Sequence, residues 1–139
     1  MINNELQNIA TFHHIGVAVR DFKASVKLYQ KLGYTCSEPV IDKLQEVELV
    51  MCISNLFPSI ELVKPLDVKS PVCNYLKKTA EAFYHLGFTV KNLSKTLRII
   101  EKDHRIFCVN DPKPAILFSQ KKVSFYYIPG VALLEFIEE

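Results

Sequence analysis

The sequence predicts an α+β fold built from two βαβββ modules placed side by side, and three observations carry that prediction. First, a strand-like segment occurs twice, as His14-Ile15-Gly16-Val17-Ala18-Val19 and again as His85-Leu86-Gly87-Phe88-Thr89-Val90. Second, each copy opens on a histidine, keeps a glycine two places on, and leads into a helix-like stretch, Arg20 to Ser25 in one case and Lys91 to Thr96 in the other. A long period seen only twice marks a duplicated half-domain rather than a solenoid array. Third, 139 residues at 49% hydrophobic composition are enough for one domain with a buried core and no structural staple.

Taken in order, residues 1–10 read as a loose lead-in. Phe12 to Val19 alternates, with Ile15, Val17 and Val19 on one face and Phe12, His14, Gly16 and Ala18 on the other. Asp21 is placed to cap the following helix, whose apolar stripe is Phe22, Val26, Tyr29 and Leu32, and Gly33 to end it. Tyr34 to Val40 reads as extended. Glu46 to Ile53 is a strand with Val47, Leu49, Met51 and Ile53 opposite Glu46, Glu48, Val50 and Cys52, and Ile60 to Val63 returns beside it. Ser70-Pro71 opens a short helix ending near Lys78. The scheme then repeats. Tyr84 to Val90 is a strand, Asn92 caps a helix striped by Leu93, Leu97 and Ile100, and Phe107 to Val109 is extended. Asp111 to Pro114 reads as a rigid loop, and Val123 to Ile128 and Val131 to Ile137 as the closing strands. The expected organisation is a first module over 11–64, a linker with a short helix over 65–81, and a second module over 82–139, one domain overall.

Composition narrows the function classes. The formal charge is +2, with 17 basic and 15 acidic residues spread along the chain, so no basic stripe marks a nucleic acid partner. No apolar run reaches the ~18 residues of a membrane span. Asn3, Asn4 and Glu5 argue against a signal peptide, and Cys36, Cys52, Cys73 and Cys108 show no C-x-x-C spacing. The expectation is a cytoplasmic protein with reduced thiols.

Four polar residues interrupt apolar strands at equivalent points of the two halves. His14 matches His85, and Glu61 matches Glu135 at a nearly equal interval. Each sits opposite the aliphatic row expected to pack on helices. Side-by-side modules therefore bring all four to one concave face. Two imidazoles and two carboxylates suit one divalent ion of intermediate hardness, Zn, Ni, Co, Mn or Fe. Six-fold coordination leaves two positions for substrate oxygens. His13 has the wrong parity and is expected to face the helices or the edge. His104 is expected at a helix end on the surface.

The motifs His14-Ile-Gly-Val-Ala-Val, Glu61-Leu-Val-Lys-Pro-Leu, Ser70-Pro71, Tyr84-His85-Leu-Gly-Phe and Val131-Ala-Leu-Leu-Glu135 resemble the vicinal oxygen chelate superfamily, over about Phe12 to Glu138. The resemblance implies an open, cupped mixed β-sheet with helices on the outer face and one metal held by His14, Glu61, His85 and Glu135. The stretch from Glu61 to His85 resembles the methylmalonyl-CoA epimerases and the small glyoxalase-like proteins grouped with them, whereas typical glyoxalase I enzymes differ in this linker. It departs from the epimerases at Phe83 and Tyr84, where small residues are common. The activity implied is an isomerase or epimerase that takes a proton α to a carbonyl through a metal-stabilised enolate.

Glu135 is then metal ligand and base, and Glu48 is the candidate second base. The substrate would be an acyl-CoA or a thiol adduct. The same logic serves a lactoylglutathione lyase, and a third reading is a non-catalytic small-molecule binding protein. Edge strands of an open sheet invite pairing between chains, which leaves a homodimer open.

Overall fold

The computed structural model describes residues 4–139, so the first three residues of the lead-in lie outside the described residues. The rest of the lead-in is not loose. It makes tight turns, with Ile9 N donating to Leu6 O at 3.1 Å, and Leu6 packs against the core of the second module.

The first module runs β1 (Ala10–Ala18), α1 (Lys23–Lys31), β2 (Thr35–Cys36), β3 (Val40–Asp42), β4 (Val47–Ile53) and β5 (Ser59–Pro65). Helix α2 (Pro71–Lys78) joins it to β6 (Ala82–Val90), α3 (Leu93–Glu101), β7 (Phe107–Pro114), β8 (Lys122–Ile128) and β9 (Ala132–Glu138). The strands form one mixed sheet in the order β2-β4-β5-β1-β6-β9-β8-β7, with β3 paired to β4. β1 is parallel to β5 and β6 parallel to β9, while β1 and β6 run antiparallel where the modules meet. The two histidine strands are thus the central pair.

Local chemistry explains the elements. The Asn92 side chain accepts from Lys95 N at 2.8 Å, capping α3, and Asp21 accepts from Lys23 N at 2.7 Å although Phe22 holds the cap position of α1. Ser70 stands at the start of α2 without a side-chain cap bond, leaving Pro71 at the first turn. Gly33 ends α1 at φ 96°, a conformation that glycine adopts without steric cost. β4 begins only at Val47, because Glu46 takes a left-handed turn conformation at φ 58°. Asp111 to Pro114 is not a separate loop. It continues β7, whose pairing with β8 is irregular on either side of Asn110.

The sheet has two buried faces. On the outer face, α1 covers Val50, Cys52, Ile60 and Leu62, and α3 covers Val90, Tyr126 and Phe136. On the inner face, α2 brings Val72 and Leu76 against Ala18, Val47, Leu49 and Val63, so the linker helix lies inside the cup rather than outside it. This reverses the reading of β4. Val47 and Leu49 face inward, while Val50 and Cys52 pack on α1. Leu62 is fully buried under α1. Leu62→Ala is expected to cost about 2–5 kcal/mol in urea unfolding, the range for a truncated core leucine.

Candidate metal centre

Strand pairing brings the four predicted residues together at the seam between the modules. His14 lies opposite Gly87, and His85 opposite Gly16, across the β1–β6 pair. Glu61 neighbours Gly16 from β5, and Glu135 neighbours Gly87 from β9. All four side chains are buried, and one donor atom from each lies within 4.8 Å of the others. His14 Nε2 is 2.9 Å from His85 Nε2 and 2.9 Å from Glu135 Oε2. His85 Nε2 is 3.2 Å from Glu135 Oε2 and 3.4 Å from Glu61 Oε1, and His14 Nε2 is 3.7 Å from Glu61 Oε1.

This spacing fits a cation. With bonds of about 2.1 Å, adjacent donors of an octahedral ion stand about 3 Å apart and opposite ones about 4.2 Å. A further observation favours an ion over a purely structural cluster. Glu61 Oε2 is buried without a hydrogen-bond partner among the described residues, an expensive condition for a carboxylate oxygen. The repeated glycines also acquire a reason. A Cβ on Gly16 would lie 2.2 Å from His85 Cε1, and one on Gly87 would lie 2.2 Å from His14 Cε1. Each half therefore carries the glycine that makes room for the other half's histidine.

Electrostatics follow from burial and proximity. Burial alone disfavours the imidazolium of His85, but hydrogen bonding and charge from Glu135 and Glu61 outweigh it and raise the group from 6.5 to about 9. Burial pushes the Glu135 carboxyl up, yet hydrogen bonds and positive charge from His14 and His85 bring it down from 4.5 to about 2. In metal-free protein the Glu135 contribution to stability is present above pH 4.5 and lost as pH falls toward 2. The His85 contribution is full below pH 6.5 and lost as pH rises through 9. The melting temperature of chelator-treated protein is therefore expected to peak between these limits. Metal affinity should rise with pH up to about 9, because a cation must displace the His85 proton. Thermal melts and chelator-competition titrations across pH check both limbs.

The cluster opens on a narrow cavity whose apolar lining includes Val47, Leu49, Val63, Val123 and Phe125, with Asp42, Gln45 and Asn110 among its polar groups. A 3-10 turn, Ile116–Phe118, lies over it, and the Phe118 ring stacks on His14 at 5.6 Å. Asp42 is buried and ties this turn to the first module, its Oδ2 accepting from Ile116 N at 3.1 Å.

The structure does not bring Glu48 to this site. Glu48 pairs with Lys64 across β4 and β5, on the face of Val50 and Leu62, and the two side chains form an ion pair of 2.7 Å. The carboxylate that the first module does present to the cavity, besides Glu61, is Asp42. Nothing in the hydrophobic pattern singles Asp42 out, since it ends a three-residue strand. His13 also departs from expectation. A bulge in β1 sets it beside His14, with the two Nδ1 atoms 2.9 Å apart and its ring 5.2 Å from that of Phe118. His104 is exposed beyond the end of α3, as its position suggested.

Three comparisons bear on the family. The sequence model described as Glyoxalase/Bleomycin resistance protein/Dioxygenase superfamily matches residues 13–125. A mitochondrial methylmalonyl-CoA epimerase of Dictyostelium discoideum is 27% identical over 122 residues, covering 86% of this chain and 71% of its own. The matched stretches span 62% to 71% of the length of the curated relatives. Among solved structures, the methylmalonyl-CoA epimerase of Mycobacterium tuberculosis has a TM-score of 0.79 at 22% identity, covering 99% of this chain and 92% of that one. That of Streptomyces coelicolor, a variant in complex with 2-nitronate-propionyl-CoA, has a TM-score of 0.74 at 20% identity, covering 94% and 98%.

Proposed function

This chain belongs to the Glyoxalase/Bleomycin resistance protein/Dioxygenase superfamily, and we propose that within it the protein is a metal-dependent epimerase acting on an acyl-CoA, similar to methylmalonyl-CoA epimerase. The observation that carries the reading is the convergence of two histidines and two glutamates, all buried, beside an apolar cavity. The resemblance to epimerases in sequence and fold supports the choice of an acyl-CoA over a thiol adduct.

His14, Glu61, His85 and Glu135 would hold one divalent ion. When bound, such an ion supplies Lewis acidity that steadies negative charge growing on a carbonyl oxygen as the adjacent proton leaves. Glu135 is held ionised, the form that accepts a proton, and as a member of the cluster it would stand beside a carbonyl bound there. Returning the proton to the opposite face of the α-carbon requires a second carrier. Asp42, on the other module and in the same cavity, is assigned that part in place of Glu48. The apolar lining accepts a short acyl group and excludes water, which strengthens electrostatic contacts inside.

The test pairs elemental analysis with two assays. Protein purified without chelator should carry about one divalent ion per chain, and it should wash deuterium into the α-position of methylmalonyl-CoA. Glu135→Gln should slow that exchange by about 10²–10⁴-fold, the usual worth of a positioned acid–base group. Activity on the methylglyoxal–glutathione adduct with none on the acyl-CoA would move the assignment to a lactoylglutathione lyase. Absence of both activities in metal-loaded protein would leave a binding protein.

A further inference from the structure

The two central strands carry a second, unequal repeat beneath the repeated histidines. In the β1–β6 pair, Phe12 lies opposite Phe88 and His14 opposite Gly87, which leaves His13 as an extra residue on β1. Four positions on, Gly16 lies opposite His85 and Val17 opposite Phe83, which leaves Tyr84 as the extra residue on β6. Each module therefore bulges at the residue just before its metal-site histidine, and a bulge re-aims the side chain it carries. The two bulged residues differ in chemistry. His13 Nδ1 stands 2.9 Å from His14 Nδ1, while the ring of Tyr84 packs against that of His85 at 5.4 Å and His85 Nδ1 has no hydrogen-bond partner among the described residues.

Two imidazole nitrogens can share one hydrogen bond only if one carries the proton and the other does not. His14 turns its Nε2 to the cluster, so a cation there requires that nitrogen bare and puts the ring proton on Nδ1. We propose that His13 is a positioning residue for the metal centre: its bare Nδ1 accepts the Nδ1–H of His14, fixing the ring so that Nε2 faces the ion. The inference rests on the metal reading of the cluster. Metal-bound histidines usually pass their second N–H to a carboxylate or a backbone carbonyl, and here a neutral imidazole takes that place. His13 is itself held by edge-on packing against Phe118, whose ring also stacks on His14, so both rings are clamped by one aromatic side chain. Among the described residues His85 Nδ1 has no such acceptor, which makes the centre asymmetric: one histidine is oriented by a hydrogen bond from outside the cluster and the other by ring packing.

Zinc affinity measured against a chromophoric chelator tests this, with apo-protein melting temperature and the visible spectrum of the cobalt-loaded form as independent readouts. His13→Phe keeps a ring on Phe118 but removes the acceptor. It is expected to weaken zinc binding by about 10–100-fold and to alter the cobalt spectrum while the apo-protein melts near the wild-type temperature. His13→Gln restores an acceptor oxygen and should recover most of the affinity. Tyr84→Phe should leave zinc affinity unchanged, because the tyrosine hydroxyl takes no part in holding His85. Tight wild-type zinc binding together with unchanged affinity and spectrum in His13→Phe would overturn the role of His13 alone. Failure of the wild-type protein to bind zinc would remove the metal reading, and this inference with it.

Discussion

His85→Ala protein, purified without chelator, is expected to carry no stoichiometric metal and to lose α-proton exchange by a factor on the order of 10³, several kcal/mol of transition-state stabilisation. The residue holds two positions at once. Its Nε2 stands 2.9 Å from His14 Nε2 and 3.2 Å from Glu135 Oε2, so removing it deletes a donor and takes away one of the two imidazoles paired with Glu135. A buried carboxylate deprived of a cationic partner takes up a proton more readily. The metal-free variant should therefore also lose the alkaline limb of the stability profile, since His85 is the group whose titration rises to about 9. Retention of one tightly bound ion by His85→Ala would show that the four-residue cluster is not the metal centre.

The second large effect is expected from a single added methyl group. Gly87→Ala would put a Cβ 2.2 Å from His14 Cε1 and 2.6 Å from its Nδ1, well inside contact distance. The His14 ring has little freedom to move aside, being stacked on Phe118, bonded to His13 and fully buried. The strain should cost about 1–3 kcal/mol in folding, the usual price of overpacking, and zinc affinity should fall with the displaced ring. Gly16→Ala meets His85 in the same way, with Cε1 at 2.2 Å. Gly33→Ala is the informative contrast. Beyond its chain neighbours, no atom of the described residues lies within 4 Å of the added carbon, but Gly33 sits at φ 96°, so the variant should lose about 1 kcal/mol of stability through the backbone and leave metal binding intact. Calorimetric melting and zinc titration of the three variants separate steric injury at the site from ordinary destabilisation.

These results bear on how far a sequence specifies such a site. The duplication and the period of two along each strand were enough to put His14, Glu61, His85 and Glu135 on one face, because alternation is a property of the extended backbone itself. They also indicated the two-module plan, since each glycine-bearing strand opens a helix whose stripe matches one sheet face. Alternation failed where both faces of a strand are buried. In β4 every residue from Leu49 to Cys52 is shielded from solvent, so its more aliphatic row does not reveal which face meets α1, and alternation alone does not show that Glu48 lies on that face.

Alternation also fails at a bulge. One extra residue reverses the local parity, and no composition signal separates His13 in a bulge from His13 in a regular strand. The same limit hid Asp42, whose approach to the cavity depends on a short strand and on a turn contributed by the other module. What the sequence determined by itself was the repeated module, the four residues able to hold an ion, and the glycines beside the histidines. Only the tertiary structure decided that each glycine serves the opposite module's histidine, that α2 fills the cup, and that His13 lies against His14. Those facts arise from register between strands distant in sequence, which local periodicity does not encode.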